Sequence, residues 1–308
     1  MSAEAAFIES LRAFANDPAA RGLDDDAAVL EVGGETLVIT HDMIVEGVHY
    51  LASDPPAAVA WKLVAVNLSD LAAKGARPLG VMLGFTLGEE GWDRAFAEGL
   101  GTALAAFGIP LLGGDTVSAP ARVLGLTAIG RAAGPVPSRA GVRPGDLLWV
   151  SGAVGDAGAG LRILKGELDR DDALVERYRT PRPRLEAGER LAPLVTAMMD
   201  VSDGLLIDAG RMAAASGCAV RVEIDSVPLS DAFLTLLGDA RLEAATAGDD
   251  YELLFAADAA AAPAILALAE EIGLSFSRIG RFEAGAGLAI TDQGKPLPLP
   301  ARLGFEHG

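Results

Sequence analysis

The sequence predicts an α/β or α+β protein of two parts, and three observations carry that reading. Strand-like apolar runs and runs of helical spacing mix in both halves of the chain. The stretch 134–145 holds three prolines and several glycines and reads as a linker. The length of 308 residues suits two domains at about 150 residues each. The division is placed near residue 140, with an N-terminal domain over 1–140 and a C-terminal domain over 141–308.

Residues 3–15 have helical spacing, with Phe7, Leu11 and Phe14 on one face. Strands are predicted over 27–32 and 36–40, and Gly33-Gly34 between them signals a hairpin. Pro55-Pro56 opens a long helix to about Lys74, because proline is tolerated in a first helical turn. A strand over 78–87, a helix over 92–107, a short buried strand over 109–112 and a strand over 122–131 follow. Beyond the linker, a strand over 146–151 leads into the glycine-rich stretch 152–160. Helices are predicted over 159–165, 171–178, 184–194, 204–215 and 260–272, and strands over 198–201, 218–224 and 251–256. The proline-containing tail from residue 296 is expected to wrap a surface.

Composition narrows the function. Hydrophobic residues make up 51% and charged residues 22%, a globular balance. The formal net charge of −18 argues against a nucleic-acid partner, which would demand a basic face, and against an anionic membrane surface. A phosphate ligand would have to arrive with metal cations. The lone Cys218 forms no internal disulfide or Cys-rich zinc site and reads as a small buried hydrophobe. No apolar stretch nears the ~18 residues of a spanning helix, and Met1-Ser2-Ala3-Glu4 opens no signal peptide. The expectation is a cytoplasmic protein.

Acidic residues recur where apolar runs begin or end: Asp24-Asp25-Asp26, Asp42, Asp70, Asp115, Asp200 with Asp203, and Asp249-Asp250. Each alone reads as a turn residue or a helix cap. Gathered in one cleft they would repel one another unless cations were present. Oxygen donors with almost no histidine or cysteine suit Mg²⁺, and several such ions suit a polyphosphate. That is the chemistry of phosphoryl transfer.

The other motifs are less committed. In 155–160 the glycines match a P-loop, but Leu161 stands where its lysine belongs, so the stretch reads as a strand-to-helix turn requiring positive φ. Gly113-Gly114-Asp115-Thr116 suits a backbone cradle for an oxyanion beside a metal ligand. His49 fits either an anion contact or simple packing, and Arg139 either a bidentate phosphate contact or a solvated loop position. Asn67-Leu68-Ser69-Asp70 and Asp200-Val201-Ser202-Asp203 are alike, by duplication or by chance. No Gly-x-Ser-x-Gly elbow accompanies the three histidines, His41, His49 and His307.

From Asp24 to the C-terminus the motifs, in order, resemble the thiamine-monophosphate kinase family. The matching pieces are Asp25-Asp26-Ala27-Ala28-Val29, Thr40-His41-Asp42 through Val45-Glu46-Gly47-Val48-His49, and Asn67-Leu68-Ser69-Asp70-Leu71-Ala72-Ala73. Gly113-Gly114-Asp115-Thr116, Ser138-Arg139-Ala140-Gly141, Asp200-Val201-Ser202-Asp203-Gly204-Leu205, Gly248-Asp249-Asp250-Tyr251-Glu252-Leu253 and Gly304-Phe305-Glu306-His307 continue the series.

The resemblance implies an aminoimidazole-ribonucleotide-synthetase-like fold, with N-terminal domains pairing through a β-barrel in a homodimer and a C-terminal α/β domain. It implies direct transfer of the ATP γ-phosphate onto thiamine monophosphate. It assigns Asp26, Thr40, Asp42, Asp70, Asp115, Asp200 and Asp203 to several Mg²⁺ ions. Gly114, Asp115, Arg139 and Ser202 fall to ATP, and His49, Asp249 and Phe305 to thiamine monophosphate. His41 departs from the family's frequent threonine, and Asp249 from its commoner glutamate. Two alternatives stand beside this reading: another ATP-dependent enzyme of the same superfamily, and a non-catalytic binder of nucleotide or thiamine phosphate. The selenophosphate and hydrogenase-maturation enzymes rely on a reactive N-terminal or C-terminal cysteine that this chain lacks.

Overall fold

Gly33 and Gly34 adopt φ of 61° and 86°, the left-handed pair that a two-residue hairpin demands, and turn β1 (Ala28–Val32) onto β2 (Glu35–Val45). The computed structural model describes residues 3 to 306, so His307 and the first two residues lie outside the described residues. Around the hairpin stand α1 (Ala3–Leu11), α2 (Pro56–Ala73), β3 (Ala76–Leu87), α3 (Glu90–Phe107), β4 (Leu111–Ser118) and β5 (Val123–Ala132). Their five strands form one mixed sheet in the order β1-β2-β5-β3-β4, antiparallel except for the parallel β3–β4 pair. It is an open sheet, with β1 and β4 as edges.

The second half contains β6 (Leu147–Ser151), α4 (Asp156–Leu164), α5 (Asp172–Arg179), α6 (Leu185–Leu191), β7 (Ala197–Asp200), α7 (Leu205–Ala215) and β8 (Ala219–Glu223). It continues with α8 (Asp231–Leu237), α9 (Arg241–Ala244), β9 (Leu253–Ala257), α10 (Ala262–Ile272), β10 (Phe276–Glu283), β11 (Gly287–Asp292) and β12 (Lys295–Leu297). Seven strands run in the order β12-β11-β8-β10-β6-β9-β7, with only β8–β11 parallel. Both faces of this sheet are covered. Leu148, Val150, Leu254 and Phe282 pack toward Leu205, Ala209 and Met212 of α7. Trp149, Phe255 and Phe276 pack with Ile265 and Leu268 of α10 on the other side.

Helix α2 joins the two halves. It is buried almost all round, as a helix must be when it has partners on every side. One side meets β2 and β5; another meets α6 and β7. Full burial of Leu63, Leu68 and Leu71 contributes roughly 1.5–3 kcal/mol for each side chain. The crossing with α6 is close enough to require glycine: a Cβ on Gly188 would stand 1.9 Å from the Ala72 carbonyl oxygen.

The sequence expectations hold for most elements, and their failures have physical causes. The strand predicted over 36–40 continues to Val45, because Asp42 and Met43 keep the β5 ladder despite their polarity pattern. The short buried strand over 109–112 is instead β4, longer and exposed along its length. Apolar character alone does not separate an edge strand from a central one. The first helix stops at Leu11, and Phe7 and Phe14 are exposed rather than packed. Helix α4 begins at Asp156 because Asp250 accepts from the Gly155 and Ala157 N–H groups at its start. Gly155 there has φ 89°, as the turn reading of 155–160 requires. Strands β10 to β12 and the short helices α8 and α9 escaped the sequence reading. The tail does return to the fold, with the Phe305 N–H donating to the Asp203 carbonyl at 2.8 Å. Among the described residues no helix is long and apolar enough to cross a membrane.

Candidate functional site

Where the two halves meet, a cleft of about 1150 Å³ is lined by residues of β2, α2 and α4 and by the segments after β7 and before β9. The predicted acids approach it from four separate segments. Asp26 precedes β1, Asp42 lies on β2, Asp70 on α2, and Asp200 ends β7 with Asp203 just beyond. Carboxylate oxygens of Asp26, Asp70 and Asp200 all lie within 4.8 Å of one another.

The α2 sequence explains how this convergence is held. Asn67, fully buried, accepts from the Asp42 N–H at 2.9 Å and donates to the Leu63 carbonyl. Ser69, also fully buried, donates to Asp200 Oδ2 at 2.5 Å. Asp70 receives the Thr40 hydroxyl. Three polar residues in four positions therefore brace β2, β7 and the cluster itself, and the two similar Ser-Asp segments meet in space. On the other side of Asp26, the Lys74 ammonium pairs with both Asp25 and Asp26, while Arg139 from the linker reaches Asp26. Arg211 binds Asp203 and Asp208.

The remaining predicted residues divide. Ser202, His49, Asp249 and Phe305 line the same cleft. The Asp249 N–H donates to the Ser202 carbonyl at 2.7 Å, and the Val45 N–H donates to His49 Nδ1 at 3.0 Å. Gly114 and Asp115 are not brought there. They lie on the exposed edge strand β4, where Asp115 accepts from the adjacent Thr116 N–H. Gly114 is closely confined, since a Cβ would stand 1.9 Å from the Leu83 carbonyl oxygen. His41, next to the acids in sequence, is exposed and shares a 2.9 Å hydrogen bond with Thr127. Cys218 is buried, with its sulfur near the Val142 carbonyl.

The family match agrees with this architecture. The AIR synthase related protein N-terminal domain matches residues 24–132, and the C-terminal domain of the same family matches 143–293. The thiamine-monophosphate kinase of Caulobacter vibrioides is 43% identical over 305 residues, spanning 95% of this chain and 86% of that protein. That of Escherichia coli K12 is 36% identical over 301 residues, spanning 93% and 91%. The chain belongs to the thiamine-monophosphate kinase family. Among solved structures, the thiamine-monophosphate kinase of Stenotrophomonas maltophilia matches with a TM-score of 0.79 at 40% identity, covering 94% of this chain and 95% of that one. AaThiL complexed with AMPPCP and TMP matches with a TM-score of 0.83 at 28% identity, covering 97% and 95%. The hydrogenase maturation protein HypE in complex with ATP shares the fold, at a TM-score of 0.71, 22% identity and coverage of 98% and 96%.

In this member of the thiamine-monophosphate kinase family, the acids fall into two electrostatic groups. Burial opposes ionisation of Asp25, yet Lys74 and Arg21 outweigh it and hold the carboxyl down at about 2. Asp26 is likewise lowered, with Lys74 and Arg139 overcoming burial. Asp42, Asp70 and Asp200 have no salt bridge among the described residues. Burial, then the charge of Asp26, pushes Asp42 up to about 6. Burial and neighbouring carboxylates push Asp70 and Asp200 well above the ordinary range.

The cluster fits a divalent cation. Its donors are oxygens, the preference of Mg²⁺. Asp26 Oδ2 is buried against the Lys74 ammonium at 2.7 Å, whereas Asp70 and Asp200 beside it have no cation within salt-bridge distance among the described residues. The residues that escaped sequence reasoning are the supporting cations Lys62, Lys74 and Arg211, with Tyr251. A charged residue inside an apolar helical run, for Lys62, or closing it, for Lys74, was the available signal for the two lysines.

Proposed function

We propose that the chain transfers the γ-phosphate of ATP in line onto thiamine monophosphate in the cytoplasm, forming thiamine diphosphate and ADP. The convergence of Asp26, Asp70 and Asp200 at the base of a wide cleft carries this reading. The names of the relatives and the AMPPCP and TMP bound to AaThiL support the choice of substrates. The domains take their roles accordingly: 1–140 for ATP, metal and dimerisation, and 141–308 as the α/β partner that closes the cleft.

Asp26, Thr40, Asp42, Asp70, Asp115, Asp200 and Asp203 would hold several Mg²⁺ ions. When bound, these ions supply neutralisation of phosphate charge. Arg139 and Ser202 address ATP, and the Arg139 guanidinium offers paired donors to phosphate oxygens. His49, Asp249 and Phe305 address thiamine monophosphate, with Phe305 packing on an aromatic ring. The new bond joins an acceptor phosphate oxygen to the γ-phosphorus as the bond to the β-bridging oxygen breaks. That acceptor oxygen is largely ionised near neutrality, with a pKa of about 6, so the chain needs no dedicated base. The residues' work is to orient two anions and exclude water.

The test is to follow thiamine diphosphate as thiochrome fluorescence with ATP, Mg²⁺ and thiamine monophosphate. Diphosphate and ADP are expected in equal amounts, with none from thiamine and none in EDTA. ATP binding without any diphosphate would overturn the substrate assignment.

Gly114 and Asp115 enter this reading through a homodimer. Their strand β4 is an exposed edge carrying Leu111, Leu112 and Val117, so a second copy is needed to bring these residues to a cleft. Asp115→Asn and Asp200→Asn are each expected to be inactive alone. Co-expressed, they should recover about a quarter of wild-type turnover, because a mixed C2 dimer keeps one intact cleft. No recovery, or monomers in sedimentation at micromolar concentration, would count against the dimeric site.

A further inference from the structure

Two of the four lysines are buried inside the fold. Lys74 is accounted for by Asp25 and Asp26. Lys62, in the second turn of α2, is 2% exposed and pairs with none of Asp26, Asp70 and Asp200. Removing an ammonium from water is costly unless charge and hydrogen bonds replace the lost solvation. Here the replacements are specific. Lys62 Nζ lies 2.9 Å from Asp249 Oδ2, donates to the His49 carbonyl at 2.9 Å, and stands 4.0 Å over the Tyr178 ring.

These partners come from three segments: the loop after β2, the stretch before β9, and α5. Two of them, His49 and Asp249, are the residues given to thiamine monophosphate above. The Asp249 carboxylate is gripped at both oxygens, because the Tyr251 hydroxyl lies 3.0 Å from Oδ1. Its backbone is also set, with φ 71° at Asp249 and 51° at Tyr251, an arrangement uncommon for residues bearing a Cβ. The carboxylate still lines the cleft and is partly exposed there.

We propose that Lys62 is the positioning residue of the acceptor end of the cleft. Its ammonium ties the His49 carbonyl on the N-terminal half to Asp249 on the C-terminal half. Asp249 then presents a fixed lone pair instead of a rotating carboxylate, and the His49 loop is held at a set distance from it. The shorter side chain at position 249 is thus matched to an internal cation. This inference rests on the assignment of thiamine monophosphate to the cleft.

The experiment compares Lys62→Met, Lys62→Arg and Asp249→Asn in the full chain with saturating MgATP. Lys62→Met is expected to raise KM for thiamine monophosphate by about tenfold or more, leaving KM for ATP within about twofold. Lys62→Arg, which keeps the charge, should recover part of that loss. Introduced into Asp249→Asn, Lys62→Met should cost less than about twofold further, since residues acting through one another are not additive. If Lys62→Met alone fails to fold, the double variant, which leaves no unpaired carboxylate, still makes this comparison with Asp249→Asn. An unchanged KM for thiamine monophosphate, an equal rise for both substrates, or full additivity with Asp249→Asn would overturn the proposal. A wild-type enzyme that makes no thiamine diphosphate would sink the substrate reading as well. One that makes it, beside a Lys62→Met variant of unchanged KM, would sink this inference alone.

Discussion

Asp200→Asn is expected to lower turnover by at least about 10³-fold while raising the melting temperature of the metal-free protein. Loss of a carboxylate at the centre of the cluster removes charge that the transferring phosphates require to be balanced through cations. The same loss relieves the metal-free fold. Asp200 is 2% exposed, and burial with the nearby Asp26 charge pushes its carboxyl well above the ordinary range. Ionisation of such a group weakens the folded state. Asparagine retains an oxygen for the Ser69 hydroxyl and carries no charge. Thiochrome assays and calorimetry in EDTA read the two effects separately. Turnover within tenfold of wild type would remove Asp200 from the site, and a lower metal-free melting temperature would contradict the crowding of charge.

Binding of Mg²⁺ should weaken as pH falls and should release protons. Asp42, raised to about 6 by burial and Asp26, and Asp70 and Asp200, raised further, must be ionised to serve as ligands. Affinity is expected to fall by about tenfold per pH unit for each proton displaced, and hence by more than tenfold between pH 7.5 and 5.5. Calorimetry in buffers of different ionisation enthalpy measures the protons directly. Identical heats in all buffers would refute the coupling.

The sign for stability follows from the same groups. Carboxyls raised in the folded state contribute stability below their unfolded pKa that is lost as pH rises through the folded value. Asp208, pushed up to about 7 by burial despite Arg211, belongs with them. Asp25, held at about 2, contributes stability above its unfolded value and does not change between pH 5 and 8. The metal-free melting temperature should therefore fall from pH 5 to pH 8, and the rise caused by Mg²⁺ should grow over that interval.

Local chemistry made much of this legible. Gly33-Gly34 reads as a hairpin because only residues tolerant of positive φ fit it, and both glycines adopt such angles. Pro55-Pro56 marks the start of α2 because a first turn has no use for a proline's missing N–H. Less legible were the elements whose identity depends on neighbours. Strand β4 carries leucines and reads as buried, yet it is an edge. Phe7 and Phe14 have helical spacing in the sequence, yet the helix ends at Leu11 and both rings are exposed among the described residues.

By itself, the sequence determined a two-part mixed α/β chain and a set of acids at strand ends with no zinc-type ligands beside them. Those are local properties, fixed by apolar periodicity and by side-chain chemistry. Tertiary structure alone decided which acids share a site and which cations hold them. The Lys62–Asp249 pair joins residues 187 positions apart, and the Ser69–Asp200 bond spans 131. No short-range pattern encodes such pairs, because they arise from the packing of α2 between two sheets. It also separated Gly114 and Asp115 from the cleft, since the order of strands, not their sequence, puts β4 at the edge.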